Sequence, residues 1–122
     1  MWDNIIRWWH YTWIRNAYRN CRDGITNLWK WAPVIWQDRD WDHYYIYAVL
    51  IHKLEKQATY IQKNGFHVEA RRDAEKMFLC AKLARMLQQE FYIDEFRDIE
   101  KHNRARKLLF KIMEQNIERW WD

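Results

Sequence analysis

Hydrophobic and polar positions alternate at three- and four-residue intervals along nearly the whole chain, which is the spacing of helices. Trp2, Ile5, Ile6, Trp9, Trp13 and Ala17 mark a first helix over about 3–20, with Asp3 as its N-cap and Asp23-Gly24 as its stop. A short helix over about 25–31 ends ahead of Pro33, because the residue before a proline avoids the α region. An extended connection, 33–39, leads to Asp40, read as the N-cap of a third helix over about 41–63. Its inward stripe is Tyr44, Tyr47, Ala48, Ile51, Leu54, Ala58 and Ile61, and Asn64-Gly65 supplies a left-handed stop.

A fourth helix over about 67–91 carries Ala70, Ala74, Met77, Ala81, Ala84 and Leu87 on one face. These small residues let a neighbouring helix come close. A fifth, over about 100–120, uses Ala105, Leu108, Leu109, Ile112, Asn116 and Trp120. The pattern predicts an all-α, single-domain bundle of four to five helices. Only two glycines and one proline punctuate 122 residues, too few for the turns of a β-sandwich or an alternating βα fold. Several helices are apolar on more than one side, wider than a surface helix of a monomer shows, so the pattern also predicts a homo-oligomer.

Composition adds one outlier. Ten tryptophans, seven tyrosines and five phenylalanines imply aromatic packing, or aromatic contact with something else. The net charge of +4 is too small to signal nucleic-acid binding by itself. No apolar run reaches the roughly 20 residues of a membrane span. The amino end lacks the apolar core and cleavage site of a secretory leader. Cys21 and Cys80 have no metal-ligand spacing, so two free thiols in a cytoplasm are expected.

The stretch PVIWQDRDWDH, 33–43, resembles a family of small tailed-phage proteins in which I-W-x-D-R-D-W-D precedes a long helix. The runs KLEKQATYIQKNG and LLFKIMEQNI, and the closing Trp120-Trp121-Asp122, extend the likeness over most of 33–121. The Trp-rich amino end lies outside it. The resemblance implies a phage gene product acting in a bacterial cytoplasm or built into a virion. It carries no catalytic residues with it.

The residues themselves offer few chemical constellations. Five histidines lie at 10, 43, 52, 67 and 102, with no H-x-x-x-H and no cysteine at zinc spacing. The alternating aspartates 38, 40 and 42 lack the glycine and distal glutamate of a calcium loop. No glycine-rich phosphate loop is present. Glu90, Asp94 and Asp98 fall at i,i+4 spacing, which more often marks a solvated face than an acid–base pair. No catalytic residue, metal or cofactor is expected.

A binding site is expected where stacking faces, a cation and acceptors concentrate: Trp36, Arg39, Asp40, Trp41, Asp42, Tyr44 and Tyr45. The same residues also fit a plain capped helix start with Trp36 and Trp41 stapling the connection to the core. Arg71, Lys82, Arg85, Arg104, Arg106, Lys107 and Lys111 could clamp phosphates, or could be a solubilising face interleaved with acids. Arginines 7, 15, 19 and 22 among tryptophans suit a membrane surface, although core or subunit packing is the commoner use.

Three functions follow. The first is a non-enzymatic phage protein holding a small anionic ligand, such as a nucleotide signal of host defence, at a subunit interface. The second is a module that blocks a host or phage protein through an apolar patch. The third, ranked last for its modest charge, binds nucleic acid.

Overall fold

The computed structural model describes residues 1–89 and 96–121, and of 96–98 the backbone alone. Among them every regular element is helical: α1 (Trp2–Gln37), α2 (His43–Asn64), α3 (Ala70–Gln89), α4 (Phe96–Asn116) and a closing 3-10 turn (Ile117–Arg119). The all-α class is as the pattern predicts. Two compact units divide the chain, Met1–Asp38 and Arg39–Asp122.

The first unit corrects the expected segmentation. The helices expected over 3–20 and 25–31 are one helix of 36 residues, running through Gly24 and Pro33 to Gln37. An internal proline removes one backbone bond and a glycine costs about 1 kcal/mol relative to alanine. Both losses are local, and the helix continues across them. The Thr26 hydroxyl donates to the Arg22 carbonyl at 2.8 Å, one turn back and beside Gly24. Asp3 is not the N-cap; Met1 holds that place, and Asp3 lies in the first turn where its charge suits the helix dipole. The expected extended connection shrinks, because helix continues to Gln37, and Asp38 after it is extended. No residue of α1 is buried.

The second unit is built on an antiparallel hairpin of α2 and α3. At its closed end, Gly65 lies so near α3 that a Cβ there would sit 2.6 Å from the Ala70 Cβ and 2.5 Å from the Ile61 carbonyl oxygen. At its open end, the Gln88 side chain donates to the Tyr44 carbonyl at 3.2 Å. Between them, Ile51, Leu54, Ala58 and Ile61 meet Ala74, Met77, Cys80, Ala81, Ala84 and Leu87. The expected small-residue stripe of α3 is therefore buried throughout, and alanine is what allows the close approach.

α4 packs against α3 through Ala105 and Leu109. Trp120 closes the end of this core, and its carbonyl accepts from the Gln57 amide at 2.6 Å. Asn116 is buried because it is paired twice: its amide donates to the Ile112 carbonyl at 2.8 Å, and its oxygen accepts from the Lys76 ammonium at 2.9 Å. Leu108, expected inside, is exposed.

Several boundaries move. α2 is capped by Asp42, not Asp40, and Trp41 precedes the helix instead of opening it. Asn64 does end α2, but Gly65 is extended, with φ −65° and ψ 128°. The glycine is required by the closeness of Ala70, not by a left-handed turn. α3 starts at Ala70 instead of His67, and its expected end at Phe91 lies outside the described residues. The last helix starts earlier than expected, at Phe96, and the α form stops at Asn116.

Gly65→Ala should lower stability by about 1–3 kcal/mol, the ordinary cost of forcing atoms into a filled space. A lower urea midpoint with an unchanged slope would show it.

Candidate functional site

The α2 entrance is the first place to look for the expected binding residues. Asp42 adopts an extended backbone, and its Oδ1 accepts from the Tyr44 amide at 3.0 Å, satisfying one of the helix's orphan donors. The His43 Nδ1 stands 3.2 Å from the same oxygen. Tyr44 and Tyr45 are half-buried, their rings edge to face at 5.2 Å. Arg39, Asp40 and Trp41 lie in the exposed segment ahead of the cap. Trp36 belongs to the other unit, on the last turn of α1.

The entrance thus brings Asp42, Tyr44 and Tyr45 together and leaves Arg39, Asp40 and Trp41 on the surface beside them. Trp36 is 84% exposed and Trp41 78% exposed, so neither ring staples the connection to the core. Asp42 spends one oxygen on the cap.

A second place was not singled out by the sequence. The connection from α2 to α3 brings His67 over the first turn of α3, where its Nε2 lies 3.1 Å from Asp73 Oδ2. Asp73 is 2% exposed, and its Oδ1 has no hydrogen-bond partner among the described residues. The Trp121 ring stacks on the imidazole, centroids 6.2 Å apart and planes 26° apart. Arg119 approaches Glu69 at 3.6 Å. With Val68, these side chains line a hollow of about 230 Å³. A histidine held by a buried aspartate is one half of a general-base arrangement, but the second ring nitrogen, Nδ1, is itself buried. No serine, threonine or cysteine lines the hollow, so it holds no hydroxyl or thiol for such a base to activate.

The sequence could have offered His67 and Asp73 as a pair, but they are six residues apart across an irregular connection, a spacing that no helix-face rule flags. Histidine spacing along a sequence speaks to metal ligation, not to a pairing of this kind. No group of three potential metal-binding side chains occurs among the described residues. The pairs among Glu90, Asp94 and Asp98 lie outside the described side chains.

The basic clusters fare as a solvated face would. Arg85 pairs with Glu55 at 2.5 Å, Arg104 with Glu100 at 2.6 Å and Arg71 with Glu75 at 3.5 Å, all at exposed positions. These pairings spend cations that a phosphate clamp would need.

The third place is α1 itself. Trp2, Trp8, Trp9, Trp13, Trp29 and Trp36 are each at least 64% exposed, and Ile14, Tyr18, Ile25 and Leu28 are exposed among them. Ile6, Trp9, His10 and Trp13 border an apolar hollow of about 420 Å³. No helix among the described residues is long and apolar enough to cross a membrane.

Comparisons with protein-family models, with curated proteins and with solved structures found no match to this chain.

Two outcomes test this description. His67→Ala should destabilise the fold by about 1–3 kcal/mol, because it leaves the buried Asp73 carboxylate without its donor. Adding Asp73→Asn should recover part of that loss in a double-mutant cycle. The thiols should separate sharply. Cys21 is exposed, whereas Cys80 is buried and desolvation pushes its thiol up to about 11 from 9.0. At neutral pH a thiol reagent should label one cysteine quickly and the second only on unfolding. Because the folded value is the raised one, the associated stability is whole below pH 9 and is lost as pH rises towards 11.

Proposed function

We propose that this chain is a non-enzymatic interaction protein that engages its partner through α1. One observation carries the reading. A helix of 36 residues presents six tryptophans and several aliphatic side chains to solvent, with no residue buried. Patches of that kind mark interaction surfaces, since monomeric soluble proteins rarely leave large contiguous apolar areas bare. The Arg39–Asp122 unit has its own core.

The likeness of 33–43 and of later runs to tailed-phage proteins gives this reading a setting: a phage gene product working in an infected bacterial cell. Homo-oligomerisation through α1 is one form the engagement can take. A small anionic ligand at Arg39, Trp41, Tyr44 and Tyr45 is a second reading, favoured by the exposure of Trp41 beside an arginine. It ranks lower because Asp42 is occupied as a cap.

Site-specific photocrosslinking in expressing cells tests the main reading. A photoreactive residue at Trp13 or Trp29 should give several-fold more adduct than one at Lys82 or Lys111, which lie on exposed positions of α3 and α4. Equal yields at all four positions would sink the reading.

A further inference from the structure

The continuity of α1 reveals a pattern that its expected division at Gly24 and Pro33 had hidden. At about 100° per residue, Asn4, Arg15, Arg19, Arg22, Thr26, Lys30 and Gln37 fall on one narrow polar strip. Trp8 and Pro33 are its interruptions. The remaining, much wider sector carries Trp9, Trp13, Ile25, Leu28, Trp29 and Ile35, all exposed. Only Thr12, Ala17, Trp31 and Val34 of the helix are partly covered.

We propose that α1 lies along the surface of an anionic lipid bilayer, its aromatic sector in the headgroup layer and its cationic strip at the level of the lipid phosphates. The inference rests on the reading of α1 as the engaging surface and names what that surface meets.

Three features select lipid over other occupants. The first is charge: α1 carries Arg7, Arg15, Arg19, Arg22 and Lys30 against Asp3 and Asp23 alone, and Arg22 already pairs with Asp23 at 3.4 Å. An excess of cations beside an apolar sector complements an anionic surface. The second is ring chemistry. Tryptophan and tyrosine, apolar bodies with a polar tip, favour the boundary between headgroups and acyl chains, and they dominate here over leucine and isoleucine.

The third is width. A helix pairing with a second copy of itself buries a narrow seam, usually of aliphatic side chains. Rings spread over more than half of the cylinder, from Trp9 round to Trp29, stay mostly bare in such a pair. A bilayer surface covers the whole sector at once. Asp3, Arg7 and His10 lie within that sector near the amino end, where long or terminal side chains can reach back to water, and Asn16, Asn20, Asp23 and Asn27 lie farther along it, on the flank next to Lys30. The helix does not qualify as a membrane span, which leaves the in-plane position.

Vesicle flotation with the full chain tests this. Phosphatidylcholine vesicles containing a third phosphatidylglycerol should carry the protein up the gradient, and pure phosphatidylcholine vesicles should carry much less. Arg15→Gln/Arg19→Gln/Arg22→Gln should weaken anionic binding on the order of a hundredfold, and high salt should weaken the parent chain in the same direction. Trp9→Ser/Trp13→Ser should lose binding at both salt concentrations. Circular dichroism and protection of Cys80 from thiol reagents check that each variant is folded.

No flotation with anionic vesicles overturns the inference, as does equal binding to both vesicle types that the arginine variant leaves unchanged. If flotation fails while light scattering shows self-assembly that Trp9→Ser/Trp13→Ser abolishes, the lipid assignment falls and the reading of α1 as the engaging helix stands. If those tryptophan variants alter neither flotation nor assembly, and crosslinking shows no preference for α1, both fall.

Discussion

The close approach of α2 and α3 is the constraint from which the Arg39–Asp122 unit follows. It depends on small side chains: Ala58 on one helix, Ala70, Ala74, Ala81 and Ala84 on the other, and the absence of a Cβ at Gly65 where the hairpin closes. With the backbones so near, Ile61, Met77 and Cys80 fill the space between them completely. That packing fixes the first turn of α3, which brings Asp73 under His67. It also fixes the line along which α4 lies, and through α4 the position of Trp120 and Trp121 at the end of the core. The hollow at His67 is a by-product of this chain of contacts. Its buried aspartate is tolerated because one oxygen has a donor.

The sequence made the core of this unit readable, because burial and helical period coincide there. Ala70, Ala74, Met77, Ala81, Ala84 and Leu87 recur at three- and four-residue steps, and all six are buried. The ends were harder. Asp40 and Asp42 are both good caps, and which one takes the extended backbone is settled by where α2 meets α3, information that no local pattern holds. Gly65 after Asn64 suggests a conformational requirement, whereas its role is steric. Sequence shows a glycine but not the distance to Ala70.

The first unit departs from its local signals for a different reason. Gly24 and Pro33 are the strongest local breakers in the chain, and both lie inside α1. Their penalties are local: Pro33 lacks one backbone donor, and Gly24 lowers helix propensity at a single position. Splitting the helix at those points also scrambled its polar strip, since a strip is defined only along an unbroken axis. Arg19 and Lys30 look unrelated when assigned to separate helices. Of the expected binding residues, Asp42, Tyr44 and Tyr45 come together because they share the first turn of α2. Arg39, Asp40 and Trp41 are neighbours by sequence alone.

The distribution of indole rings has a practical corollary. Seven of the ten tryptophans are on α1, Trp41 and Trp121 are exposed, and Trp120 alone is buried in the core of the second unit. The intrinsic ultraviolet emission of this protein is therefore chiefly a report on the polarity around one helix. A melt followed by that emission can shift while the Arg39–Asp122 core is intact, or stay almost silent while that core comes apart. Trp120, with its indole N–H shielded from water, is the one tryptophan buried in the Arg39–Asp122 core. A chain retaining only that ring would turn the same optical signal into a direct reading of its folding.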